Sequence, residues 1–223
     1  MSRASRPRTN DERETLCRAI DSYLVRLDPN PVVADLFRNS LLPSATAWRN
    51  ARSAWLGCDS ALKAAGDSLD DAVSALETPL LLFSHTLQKA NGYPVEISTL
   101  LGESLLGIQR LSIQRQLKCM IDFRTRLDSR EFIFDPVRLA TLDCALLRLS
   151  TTLSTQEEIT RARKAASRAQ DTAAGALDSA TGRVSRAIRA LIGEEDIWDV
   201  LPAFVRYAPK ARKEGDVEGD PQP

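Results

Sequence analysis

The side chains that could do chemistry are few and scattered. His85 is the single histidine of the chain. A metal site needs several His, Cys or carboxylate ligands in a cluster. No Glu-x-x-His pair occurs, so the paired-carboxylate metal pattern of helical bundles is missing. Two residues beyond Phe83, His85 reads as a helix-surface or partly buried residue rather than a ligand or base. The four cysteines, Cys17, Cys58, Cys119 and Cys144, form no Cys-x-x-Cys pair. A nucleophilic thiolate needs a base or cation beside it, whereas Cys58 falls on a seam of small residues and Cys144 among Leu142, Ala145 and Leu146. Such spacing suits neither a disulfide framework nor a redox pair, and it fits a reduced, cytoplasmic setting. There is no Gly-x-Ser-x-Gly elbow, no Gly-x-x-x-x-Gly-Lys phosphate loop and no Gly-x-Gly-x-x-Gly fingerprint. The expectation is a non-enzymatic protein with no metal and no cofactor.

Charge says more. Lysine plus arginine and aspartate plus glutamate number 30 each, so no global field steers the chain toward nucleic acid or acidic lipid. The signs are nevertheless segregated. Asp59, Asp67, Asp70, Asp71 and Glu77 make one stretch acidic, and Arg161, Arg163, Lys164, Arg168, Arg183, Arg186 and Arg189 make another basic. These are solvated faces of differing sign, or faces that meet within one chain or across a dimer and set register. A basic face could also neutralise phosphates, although it lacks interleaved aromatics and belongs to no named nucleic-acid-reading module.

The elements that position these residues are helices. From 44 to 90 the chain repeats in sevens. One position holds Trp48, Trp55, Leu62, Leu69, Leu76 and Phe83; three residues on lie Ala51, Cys58, Ala65, Ala72 and Pro79. A bulky seam beside a small one is the pattern of a coiled-coil-like helix whose partner packs closely. Pro79 is expected to kink it. Before it, Thr9 and Glu12 form a capping-box pattern for a helix to about Leu27. Asn30-Pro31 caps a short helix to about Leu42, and Pro43-Ser44 is expected to break the chain. After it, Asn91-Gly92-Tyr93-Pro94 is a stop, and an amphipathic helix is expected from 95 to 128. Asp135-Pro136 opens another, to 192, with Leu139, Leu142, Leu146, Leu149 and Leu153 on one face. Thr155 and Glu158 offer a second capping box, so Ser150 to Thr155 is the expected bend. Beyond it Ala162, Ala166, Ala169, Ala173, Ala176 and Ala180 form a stripe, and Gly193 closes the helix.

The fold expected is all-α: an elongated up-and-down bundle of three to four long coiled-coil-like helices with short flanking helices. Residues 1–9 read as a disordered basic tail with no secretory signal, 10–208 as a single helical bundle domain and 209–223 as a disordered charged tail. No apolar run is long enough to span a bilayer as a helix. The function expected is a helical-bundle interaction or scaffold protein with a protein partner, including itself as a homodimer. Binding of anionic membrane or nucleic acid through a basic helix face is the alternative. The candidate surface residues are Trp48, Trp55, Arg161, Lys164, Arg168 and Trp198. Trp48 and Trp55 share the bulky seam and are either core or partner anchors; Trp198, with Leu201 and Phe204, is expected to fold back over an end of the bundle.

Overall fold

In a computed structural model of the chain, residues 2–4, 7–91, 100–102, 107–108, 110–128, 132–193 and 196–206 are described. The fold is an all-α helical bundle with short flanking elements. Helix α1 spans Asn10–Leu24, α2 Pro31–Leu36, α3 Leu42–Ala90, α4 Ile113–Asp128 and α5 Pro136–Ile192. A π-helical turn, Phe37–Leu41, joins α2 to α3, and a 3-10 turn covers Asp196–Asp199.

The starts follow local chemistry. Thr9 accepts from the Glu12 amide while the Glu12 carboxylate receives the Thr9 amide, a complete capping box for α1. The Asn30 side chain accepts from the amides of Val32 and Val33, and Asp135 does the same for Val137 and Arg138. Each cap precedes a proline, whose missing N–H is no loss at a helix start. Helix α1 stops at Leu24, short of Leu27, which is fully exposed.

Two expected breaks are absent. Pro43 does not interrupt the chain, because α3 begins at Leu42. The preceding π turn, with the Leu42 amide donating to Phe37 O, widens the helix where the Pro43 ring would press on the carbonyl four residues back. Pro79, where a kink was expected, lies inside α3 and does not end it. Ser150 to Thr155 neither reverses the chain nor starts a new helix, because α5 is continuous from Pro136 to Ile192. There the hydroxyls of Thr151, Thr152 and Thr155 donate to the carbonyls of Leu147, Arg148 and Thr151, which keeps each threonine inside the helix instead of capping a new one.

The helix expected from 95 is shorter. Residues 92–99 lie outside the described residues, Gly102 takes a positive φ of 77°, and α4 starts only at Ile113. A Cβ at Gly102 would also meet Arg126 Nη1 at 3.2 Å, and that same nitrogen donates to Leu100 O. Only glycine suits this turn.

The chain divides into two compact units, residues 1–52 with 169–223, and residues 53–168. In the first, Leu16, Ile20, Val33, Phe37, Leu41, Trp48, Leu177, Val184 and Ile188 form a buried core. Arg13 clamps α1 to α5, its Nε and Nη2 donating to the two oxygens of Asp178 at 3.0 and 2.7 Å. Ser2–Ala4 pairs antiparallel with Phe204–Arg206, Ala4 opposite Phe204, so these residues of the expected basic tail form a strand. Ile197, Leu201 and Phe204 are buried in the same core, as the fold-back of this segment required. The rest of the expected charged tail, 209–223, lies outside the described residues.

In the second unit, Leu69, Ala72, Leu76, Leu80, Phe83, Phe123, Leu142 and Leu149 are buried together. Both seams of α3 therefore face inward. Asp59 meets Arg163 and the Gly66 backbone faces Gln156, so α3 and α5 run antiparallel. Continued in steps of seven, this register sets Leu69 opposite Leu153 and Leu76 opposite Leu146. Gln114 meets Glu157 and Arg124 meets Asp143, so α4 is antiparallel to α5 and parallel to α3. Leu100, Leu101 and Ile108 are buried in the same core.

Candidate interaction surface

The groups that could do chemistry lie apart from one another. Cys17 is fully buried, and burial pushes its thiol up to about 11 although Arg49 beside it pulls the other way. Arg49 is committed to Asp21, whose hydrogen bond raises the guanidinium's pKa. A thiol held protonated is not a nucleophile at neutral pH. His85 is exposed on α3. Among the described residues no three His, Cys, Asp or Glu side chains gather as a metal would need. A cleft of about 450 Å³, counting its open mouth, lies in the second unit between Leu76, Leu80, Leu81 and Ile108. Its polar groups are Glu77 and Gln116, and the Gln116 amide already donates to Leu111 O at 3.0 Å.

The candidate surface residues separate into three environments. Trp48 is 1% exposed inside the first core, so it offers no surface to a partner. Its indole Nε1 is buried without a hydrogen-bond partner. Trp198 packs half-buried against that core with the Arg189 guanidinium 5.9 Å from its ring centroid, which makes it a cover rather than an open anchor. Trp55, one heptad from Trp48, is half-buried in the second unit. The Arg163 guanidinium lies 5.5 Å from its ring centroid while Arg163 Nε donates to Asp59 at 2.7 Å. Arg163 thus ties α5 to α3 through both a ring face and a carboxylate.

Arg161, Lys164 and Arg168 are exposed. Spaced three and four apart, they share one face of α5. Arg161 has only a loose contact with Glu157, at 3.7 Å one turn back. Exposed pairs of this kind contribute little. Asp67, Asp70 and Asp71 are likewise exposed together on α3.

The stretch that carries the basic set is thinly packed. Within the second unit no residue of α3 from Ser53 to Ala64 is buried, and none of α5 from Ser150 to Arg168. Trp55, Cys58, Leu62 and Ile159 are only half-buried there, and Leu56 is 49% exposed. The register gives the reason. Trp55 stands opposite Ser167 and Leu62 opposite Thr160, whereas further along leucine faces leucine. The alanine stripe does not fill the gap, since Ala162 is exposed and Ala166 only half-buried. In the first unit Ala180 of the stripe is buried but Ala169 and Ala176 are exposed, and the rest of the buried face of α5 is Gln170, Ala174, Leu177, Thr181, Val184 and Ile188. The Thr181 hydroxyl in that interior donates to Leu177 O at 2.7 Å.

No helix among the described residues is long and apolar enough to cross a membrane. No protein-family model matches the chain, and comparison with curated proteins and with solved structures returns no match.

Proposed function

We propose that the protein is a non-enzymatic helical interaction protein that acts by presenting a rigid two-helix face, and that it self-associates through that face. The supporting observation is the α3–α5 stretch just described, where two long helices pair over about three turns, from Ser53 to Ala64 of α3, without burying a residue. Apolar side chains left half-covered on a helix pair are the usual raw material of a further helix–helix contact. Light scattering after size exclusion, at low and high salt, tests this. The expected result is a mass above the monomer that weakens, without vanishing, as salt rises. A monomer at every concentration and salt overturns the self-association reading.

A second reading has its own observation, the exposed basic face of Arg161, Lys164 and Arg168. Under it the partner is an anionic lipid surface or nucleic acid. Binding to such partners collapses steeply with salt, and the double substitution Arg161→Glu, Arg168→Glu abolishes it. Unchanged vesicle or DNA binding by that variant removes this basic face from consideration.

A further inference from the structure

We infer that a second copy of this chain docks on the outer face of α4 and α5, across a two-fold axis parallel to those helices, so that α5 of each copy lies against α4 of the other. The inference rests on the self-association reading and adds a contact face distinct from the Ser53–Ala64 stretch.

The face follows from which sides of α5 are already used. Leu139, Leu142, Leu146, Leu149 and Leu153 pack into the core of the second unit. Asp143 and Glu157 point to α4, where they hold Arg124 and Gln114. At about 100° per residue, a quarter-turn further round α5 come Ala140, Cys144, Leu147, Thr151 and Glu158. All five are exposed, Leu147 at 69%. The Thr151 hydroxyl donates to Leu147 O, so it brings no unmet polar group to this side. On α4 the corresponding side carries Lys118, Ile121 and Thr125, with Ile121 53% exposed. The same two contacts set the level of one helix against the other. Ile121 stands beside Leu147, and Thr125 beside Cys144. Two large apolar side chains are therefore open to solvent at one level of one face.

The edges of the face point to a second copy. Arg148 lies on the edge of α5 away from α4, and Asp122 on the edge of α4 away from α5; both are exposed. They stand at nearly the same level, on opposite edges, and cannot meet within one chain. A two-fold axis parallel to the helices exchanges the edges and keeps the levels. It lays Arg148 of each copy on Asp122 of the other, twice over, and Leu147 on Ile121 between them. Glu158 comes about one turn from Arg115 of the second copy. Lys118 approaches Arg148 across the contact, but Asp122, one turn along its own helix, offsets it. Each α5 then has an antiparallel α4 on two sides, as in an up-and-down four-helix bundle, with an apolar centre and a charged rim. A two-fold axis perpendicular to the helices at the Leu147 level would instead bring Arg148 to Arg148 and Asp122 to Asp122.

The first test is a disulfide. The axis brings Cys144 of one copy onto position 125 of the other. In a chain with Cys58→Ser and Cys119→Ser, Thr125→Cys should give a disulfide-linked dimer on oxidation with copper–phenanthroline, read on a non-reducing gel. The same chain without Thr125→Cys, or with Thr125→Cys and Cys144→Ser, should give none, because like positions lie diagonally across the four helices. Linking through Cys144 alone, or no linked dimer with both cysteines present, overturns the placement.

The second test is a charge swap, read by light scattering over a concentration series with far-UV circular dichroism as the check on folding. Arg148→Glu and Asp122→Lys each make both edge contacts repulsive. Each alone should weaken the contact at least about tenfold and lower the mass of the assembly. An equimolar mixture of the two should restore the wild-type mass, since every edge contact again joins opposite signs. If the wild type associates and neither reversal changes its mass, self-association stands but this placement fails. If the wild type is monomeric, the wider reading fails with it.

Discussion

Trp48 and Trp55 occupy the same heptad position one repeat apart, yet their substitution should have opposite consequences. Trp48 is 1% exposed among Phe37, Leu41 and Leu177. Trp48→Ala removes a large, fully buried ring and should cost ~3–5 kcal/mol. Trp55 is half-buried and faces Ser167 across the helix pair, with Arg163 against its ring. Losing that partial cover and one solvent-exposed cation–π contact should cost only about 1–2 kcal/mol. Trp48→Phe refines the reasoning. The indole N–H of Trp48 is buried with no acceptor, which carries a desolvation cost of about 1–3 kcal/mol that phenylalanine removes. This offsets the smaller ring's lost contacts, so Trp48→Phe should lie within about 1 kcal/mol of wild type. Urea titrations followed by circular dichroism and by tryptophan emission would rank the three variants. Helicity retained at wild-type stability in Trp48→Ala, or a larger loss in Trp55→Ala than in Trp48→Ala, would refute the argument and return Trp48 to the list of surface anchors.

Two further outcomes follow from local geometry. Cys17 has its folded-state pKa raised from 9.0 to about 11 by burial. Below pH 9 both folded and unfolded chains hold the proton and the thiol has no effect. Between 9 and 11 the unfolded chain loses it first, so stability should fall as pH rises, by about 2–3 kcal/mol in all. The difference between wild type and Cys17→Ala, measured by urea titration across this range, isolates the effect from other groups; a difference that does not change with pH removes the cause assigned here. Thr155→Ala tests the continuity of α5. Because Thr155 bonds back to Thr151 O instead of capping a new helix, alanine should be neutral or slightly stabilising, within about 0.5 kcal/mol. A loss of about 1 kcal/mol would mark a helix cap at that position instead.

What could be read from the sequence was chemistry settled within a few residues. Thr9 with Glu12, Asn30-Pro31 and Asp135-Pro136 each satisfy amides two or three positions away, and nothing distant competes with them. The seam of α3 was equally legible, since the bulky and small positions repeat over many turns. The misread elements turned on competition that the sequence does not show. Thr151, Thr152 and Thr155 can cap a helix or bond back into one, and the choice depends on whether the preceding turn is already packed through Leu146 and Leu149. Pro43 was expected to break the chain, but a π turn made room for its ring. The pairing of Ser2–Ala4 with Phe204–Arg206 joins opposite ends of the chain, beyond any local pattern.

The candidate surface was half legible for the same reason. The acidic and basic stretches stand in the sequence as bare composition, and so do Trp55 and Leu62. Their meaning depends on what lies opposite. Ser167 and Thr160 face Trp55 and Leu62 where Leu153 and Leu146 face Leu69 and Leu76, so one regular heptad produces a dry core at one end of the unit and an open seam at the other. Once the antiparallel register is known, the charges also change character. Asp67–Asp71 and Arg161–Arg168 are not a pair that stabilises the monomer but two patches displaced by about three helical turns. Self-association through this seam would therefore use the regularity of α3 and the irregularity of α5 together, with apolar side chains providing the adhesion.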